Sequence, residues 1–399
     1  MTFDGPLTGR RVRIAFMIES DGPGGAERMV AQLAGELEAG GCGCVAFVPA
    51  RGEGWLGREL TAAGVAVETF RLDRPFSPQL SRDLAAAFRR HRIDLVHSHE
   101  FSMSLYGAWG ARRAGIPHVI TMHGGRYYAH RLRRRVLLRA AIAASSAVVV
   151  VSEGLRTHLT HDLWLRKARI TTIPNGVRFL PTHESTLRAE LGLAPEDRAI
   201  VSVGNLYAVK GHSVLLDAVA RLAGELPRVH IVIAGRGDLA AALEQQANTA
   251  GIRERVHFLG LREDIANVLA SADLFVLPSL SEGLPLALLE AMFAARPIVA
   301  SAVGDVPVAL AGGAAGVLVP PGDAVALAEA IGRLLAQPFE ARRLGRSAQV
   351  RAAAEYGINR MVQRYAELYE QVLTRRRRDD RHGGTAPIDA TPPRARTGG

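Results

Sequence analysis

The chain runs to 399 residues, 48% hydrophobic and 22% charged, a globular composition long enough for two cores. No apolar run approaches the roughly 20 residues of a membrane span. The first residues lack the apolar core and cleavage site of a signal peptide, so a cytoplasmic protein is expected.

In chain order, residues 10–20 (RRVRIAFMIES) read as a first strand, and 21–40 as a Gly-rich turn leading into an amphipathic helix. Strands are expected at 44–50, 65–70, 93–99 and 117–124, with helices at 80–91 and 102–114 between them. Residues 127–144 form a basic helical stretch. Strands at 147–152 and 170–177 complete this half. A boundary falls near 181–195, and the pattern restarts. Strands are expected at 199–205, 229–235, 256–260, 274–279, 297–301 and 316–320, and helices at 213–223, 238–250, 262–271, from 285, and 324–336. Residues 342–374 read as helical. Strands alternating with helices mean βαβ units and mainly parallel sheets. The expected division is 10–181, 182–355, a helix at 356–374 returning to the first domain, and a disordered basic tail at 375–399. Cys42 and Cys44 are too closely spaced for a disulfide and too few for a zinc site, so they read as reduced strand residues.

The net charge of +10 is unevenly placed. Residues 101–152 contain no Asp or Glu but eight arginines: Arg112, Arg113, Arg126, Arg131, Arg133, Arg134, Arg135 and Arg139. Arg375 to Arg378 add a second cluster. Such clusters suit an anionic partner, either a phosphate-bearing substrate or an anionic membrane surface, or form a plain solvated face. Within 126–144, Leu132, Val136, Leu137, Ala140 and Ala141 give an apolar stripe that could lie on a membrane or on the protein's own sheet. Aromatic residues at 6% offer little for base stacking, which argues against a nucleic-acid partner.

Several strand ends carry chemistry. SEGLPLALLEAM holds two carboxylates, Glu282 in a loop and Glu290 on the following helix, beside a helix N-terminus suited to phosphate. GPGGAE (22–27) lets backbone N–H groups approach a ligand closely. Lys210 in GNLYAVKGH could neutralise a diphosphate or be a solvated loop residue. GRGD (235–238) admits close approach, with Asp238 read first as a helix N-cap. His97 and His99 are two apart, but no further ligand cluster accompanies them, so a metal site is not expected. His123 reads as a hydrogen-bonding group in a cleft. A dinucleotide-dependent oxidoreductase is disfavoured, because the first turn is not GxGxxG and no acid ends the second strand.

Together these motifs resemble the retaining GT-B glycosyltransferases of glycosyltransferase family 4, over about 11–369. SEGLPLALLEAM followed by PIVAS is similar to the family's E-x7-E region. GGAE, VSEGL, IPNGV, VKGH, GRGD and HFLG-x-R-x-D (257–264) support it. The resemblance implies an α/β GT-B fold of two Rossmann-like domains facing a central cleft. It also implies a UDP- or GDP-sugar donor, a lipid-linked or surface-glycan acceptor, no metal, and front-face retention. By position, Glu290 would hold the ribose hydroxyls, Glu282 the transferred sugar and Lys210 the diphosphate. The backbone from Gly283 through Leu284 and Pro285 to Leu286 would line the sugar and phosphate with its N–H groups, Pro285 having none. Gly24 and Gly25 would approach the diphosphate, and His123 the reacting face. Gly235, Arg236, Gly237, Leu261 and Arg262 fall on donor-binding positions. Arg131, Arg133, Arg134, Arg135 and Arg139 are candidates for membrane or acceptor contact. Asn205 stands where many members carry Arg, which shifts phosphate binding toward Lys210 or another arginine such as Arg236. Nucleotide-sugar epimerases and sugar phosphorylases share the architecture and are the alternative reading.

Overall fold

The computed structural model describes residues 11–50, 54–72, 77–124, 128–129, 131–166, 169–182 and 184–381. It contains two sheets. The first is built from β1 (Arg13–Met17), β2 (Gly43–Pro49), β3 (Ala66–Phe70), β4 (Leu95–His99), β5 (His118–Met122), β6 (Ala147–Val150) and β7 (Ile170–Thr172), in the order β3-β2-β1-β4-β5-β6-β7. The second contains β8 (Arg198–Val203), β9 (Val229–Ala234), β10 (Val256–Gly260), β11 (Leu274–Leu277), β12 (Ile298–Ser301) and β13 (Val317–Val319), in the order β10-β9-β8-β11-β12-β13. All these pairings are parallel. Helices cover both faces of such sheets, which is why β11 reads LFVL and is buried throughout.

Each sheet reverses its strand order once, between β1 and β4 and between β8 and β11. Ligand crevices form outside the strand ends at such reversals. The loops there carry Gly24 after β1, His99 and Glu100 at the end of β4, Lys210 after β8 and Glu282 after β11. The order of strands therefore brings together motifs far apart in sequence.

The chain passes from the first half to the second near Val177 and returns at Gly357. The two crossings pair: Val177 N–H donates to Tyr356 O at 2.9 Å, and Ile358 N–H donates to Val177 O at 3.1 Å. The last helix, Ile358–Arg381, packs on the first sheet. Its Met361, Val362, Tyr365 and Tyr369 join a core with Phe16, Met29 and Val119. Both tyrosine hydroxyls are buried and bonded, Tyr369 to His97 Nδ1 at 2.7 Å and Tyr365 to Thr121 Oγ1 at 3.2 Å. No helix among the described residues is long and apolar enough to cross a membrane. Cys42 and Cys44 are free and buried, and burial pushes the Cys42 thiol up to about 11.

Several expectations need correction. Arg375 to Arg378 are helical, not part of a disordered tail. Arginine is a good helix former, so nothing in that run stops the helix. Residues 383–399 lie outside the described residues. The basic helix is Leu132–Ala143, not 127–144, and Gly125, Arg126, Tyr127 and His130 lie outside the described residues. Its inward face is Leu138, Ala141 and Ile142, whereas Leu132 and Val136 point outward at 66% and 57% exposure. The helices Trp55–Ala62 and Glu153–Leu163 had no sequence expectation.

Candidate active site

One wall of the cleft comes from the second sheet. After β11 the chain loops through Ser279 and Glu282 to Pro285, whose extended backbone caps the helix Leu286–Phe293. Glu282 Oε1 accepts from Lys210 Nζ and from Ser279 Oγ, each at 2.7 Å. Lys210 ends a single 3-10 turn, Ala208–Lys210, before the helix His212–Leu222. Its ammonium and the Glu282 carboxylate are mostly shielded, at 26% and 9% exposure, so the pair is stronger than a surface ion pair. Glu290 lies one turn into the Leu286–Phe293 helix. Burial pushes its carboxyl up, and the positive charge of Arg28 partly offsets this.

The facing wall comes from the first sheet. Gly24 precedes the helix Gly25–Ala39, which carries Arg28 in its first turn. His123 follows β5. Its backbone N–H donates to Glu100 Oε1 at 3.0 Å, and its Nε2 lies 2.9 Å from His99 Nδ1. Burial holds His123 down at about 4, so the ring is neutral near pH 7. Glu100 is pushed up to about 7 by burial, with Glu19 and Glu27 adding to the effect. Asn175 donates Nδ2–H to Leu284 O at 2.9 Å, while its buried Oδ1 has no protein partner.

The walls touch at the floor of the cleft. A Cβ at Gly283 would lie 2.7 Å from His123 O, so only glycine fits this approach. Asp305 completes the contact. Its N–H donates to Gly283 O at 2.9 Å. Its carboxylate accepts from the N–H groups of Glu153 and Gly154 at 2.7 and 3.0 Å. Those are unpaired donors at the start of the helix Glu153–Leu163, so a residue from the second half caps a helix of the first.

The chain is similar to known proteins in sequence and in fold. Residues 23–179 match the family model described as Glycosyltransferase Family 4, and residues 197–337 match that described as Glycosyl transferases group 1. The alpha-maltose-1-phosphate synthase of Mycolicibacterium smegmatis is 30% identical over 331 residues, covering 73% of this chain and 83% of that protein. The chain belongs to glycosyltransferase family 4. A galactosyltransferase of Escherichia coli, UDP-Gal:alpha-D-GlcNAc-diphosphoundecaprenol alpha-1,3-galactosyltransferase, is 30% identical over 227 residues, 53% of this chain and 59% of that protein. Anabaena HepE, solved in complex with UDP-glucose, superposes with a TM-score of 0.80 at 25% identity, over 90% of this chain and 99% of that one. The fold is GT-B.

The glycosyltransferase cleft is lined by Gly24, Gly25, His123, Asn205, Lys210, Gly235, Leu261, Arg262, Glu282, Gly283, Leu284, Pro285, Leu286 and Glu290, all named from sequence. Arg28 and Asn175 also line it and were not named as site residues. Arg236 and Gly237 are not among its lining residues. A Cβ on Gly237 would meet Leu206 O at 2.6 Å, so that glycine serves packing. Leu239 N–H also bonds Leu206 O at 3.1 Å. This delays the next helix to Ala240–Thr249, with Leu239 and not Asp238 at its N-cap. Arg262 reaches the cleft, but Asp264 grips it through Nε at 2.7 Å and Nη2 at 2.6 Å.

The five arginines of the basic stretch lie outside this lining, and two have structural work. Arg135 donates Nε–H to Asp162 O at 2.8 Å, and Arg139 donates to Leu163 O at 2.7 Å. Both cap the end of the Glu153–Leu163 helix, whose last carbonyls otherwise lack donors. Arg135 also lies over the Trp164 ring, 4.7 Å from its centroid. Arg131 and Arg133 remain exposed, and Arg134 is half-buried. The histidines of HSH are engaged within the protein: His97 Nε2 pairs with Thr121 Oγ1 at 2.7 Å, and His99 pairs with His123.

Proposed function

We propose that this glycosyltransferase is a retaining, metal-independent hexosyltransferase using a UDP- or GDP-sugar. The supporting observation is the shielded Lys210–Glu282 pair set beside Glu290 at the β8/β11 reversal, opposite the Gly24–Gly25 turn. Residues 182–355 would hold the donor, and residues 10–181 the acceptor. Glu290 takes the ribose hydroxyls and Glu282 those of the transferred sugar. Lys210 and the start of the Leu286–Phe293 helix face the diphosphate, where they stabilise charge as it develops on the leaving oxygen. The acceptor hydroxyl oxygen forms the new bond to the anomeric carbon on the face from which the diphosphate departs. The sugar–phosphate bond breaks with its electron pair going to the phosphate, and the hydroxyl proton follows to that oxygen. Glu282 is a poor nucleophile for a double displacement, because Lys210 and Ser279 both hold its Oε1. His123, neutral at pH 7, acts through hydrogen bonding.

The acceptor in this reading is lipid-linked, as the name of the E. coli relative states for that enzyme. Leu132 and Val136 stand exposed on one helix with Arg131 and Arg133, and Trp164 beside them is 67% exposed. An apolar ridge flanked by arginines suits the inner, anionic leaflet of a cytoplasmic membrane. Incubation with UDP- and GDP-sugars and a polyprenyl-diphosphate-linked acceptor, in EDTA, tests the chemistry. An α-linked product from an α-donor, read by NMR, is expected. A β-linkage overturns retention, loss of activity in EDTA overturns metal independence, and donor consumption without acceptor points to epimerase or phosphorylase chemistry.

A further inference from the structure

Among the described residues three cations line the cleft, and two of them are already paired with carboxylates. Lys210 is paired with Glu282, and Arg262 is held by Asp264 with Glu190 beyond it at 3.3 Å. The third, Arg28, stands on the opposite wall in the first turn of the Gly25–Ala39 helix. Among the described residues no carboxylate is bonded to it. Its contact is the face of Trp55, with the guanidinium carbon 5.4 Å from the ring centroid. A ring face steers an arginine without cancelling its charge. Arg28 and Glu290 line the same cleft from its two walls, and the positive charge of Arg28 offsets part of the burial effect on that carboxyl. Asn205 adds no charge to the wall between them.

Among the described residues, a nucleoside diphosphate lying along Glu290 therefore meets one surplus cation, and that cation comes from the other half of the molecule. We propose that Arg28 is a donor-binding residue that delivers its guanidinium to the diphosphate from the first-sheet wall. The inference rests on the nucleotide-sugar reading above. A guanidinium presents a planar fork of donors that matches phosphate oxygens. Because Arg28 and Lys210 belong to different halves, a diphosphate held by both favours the closed cleft over any open one, and donor binding itself draws the walls together.

The test compares wild type, Arg28→Gln and Arg28→Lys by calorimetry at two salt concentrations. The ligands are whichever of UDP, GDP and ADP wild type binds most tightly, and the matching nucleoside. Arg28→Gln should weaken the diphosphate by about 10- to 100-fold, as expected for hydrogen bonds to a charged group. Nucleoside affinity should stay within about twofold, and the diphosphate's salt dependence should fall. Arg28→Lys should lie between the two, keeping charge without the fork. Unchanged diphosphate affinity in Arg28→Gln overturns the inference. Equal losses for nucleoside and diphosphate also overturn it, since they would make Arg28 a prop for the wall. If wild type binds none of the three diphosphates, the nucleotide-sugar reading itself falls, and the inference falls with it.

Discussion

At the scale of single residues, the site depends on pairs that hold each other. Glu282 is oriented by Lys210 and Ser279, so neither Lys210 nor Glu282 can be changed without disturbing the other. Lys210→Ala removes a leaving-group cation and leaves the shielded Glu282 without its partner. Turnover should fall by about 100- to 1,000-fold, the usual effect of losing one charge-stabilising donor, and initial rates at saturating donor measure it. A fall of less than about fivefold would remove Lys210 from the chemistry. Glu282 and Lys210 were legible because each sits beside a glycine in a loop that follows a strand, and Glu290 because it stands on the next helix at the E-x7-E spacing from Glu282. Arg28 and Asn175 were not. Arg28 reads as one more charge on an amphipathic helix, and only the strand order turns it toward Glu290. Asn175 appears in sequence as part of a strand-end motif, and its bond to Leu284 O spans 109 residues.

At the scale of elements, the contact between Asp305 and the Glu153–Leu163 helix had no sequence signal. Asp305 follows a strand of the second sheet, and nothing near it specifies a helix 152 residues away. Ser152 already caps that helix locally, its Oγ accepting from Leu155 N–H at 3.1 Å. Asp305 accepts from the first-turn N–H groups of Glu153 and Gly154 from the other half, with a charge that suits the positive end of the helix. Asp305→Ala should lower stability by about 0.5–2 kcal/mol, the range for losing a cap, and thermal unfolding checks it. Small-angle scattering should show a more open average shape in the same variant. A normal melting temperature with an unchanged scattering profile would mean the clasp is inert. The basic helix teaches a related lesson. Its arginines read alike in sequence, but Arg135 and Arg139 are committed to a neighbouring helix end, whereas Arg131 and Arg133 are exposed. Composition gave the charge, and only the packing of neighbouring helices decided where it points.

At the scale of the whole molecule, alternation of strand and helix was enough to anticipate two parallel sheets and a cleft between their strand ends. The parts that escaped were the order reversals, the helix that runs on to Arg381, and the buried network behind the first wall. That network matters for stability against pH. His97, His99, His118 and His123 of that network, and His212 behind the second wall, are all held below the ordinary histidine range by burial, with His118 at about 3 and His123 and His212 at about 4. A depressed folded-state pKa means the unfolded chain binds protons first. The stabilisation is complete above about 6.5 and is lost as pH falls toward 4 and below. Glu100 acts in the opposite sense. Its pKa is raised from 4.5 to about 7, so its contribution is complete below 4.5 and is lost as pH rises through 7. Glu100 therefore opposes the histidines between pH 4.5 and 7, and melting temperature should drop as pH falls from 6.5 to 4 and level off above about 7. Glu100→Gln should steepen the rise of melting temperature between pH 4.5 and 7, because the opposing loss is removed. An unchanged slope over that window would show that Glu100 does not titrate there.

The proposed chemistry requires the wall around Glu290 to hold a nucleotide. Calorimetric titration of wild type and Glu290→Ala with UDP, GDP and ADP measures this directly. One diphosphate should bind wild type, and Glu290→Ala should weaken it by about tenfold or more, the effect of losing a charged hydrogen-bonding group at the ribose. Binding of that diphosphate with equal affinity to both proteins, or no binding of any of the three to wild type, would contradict it.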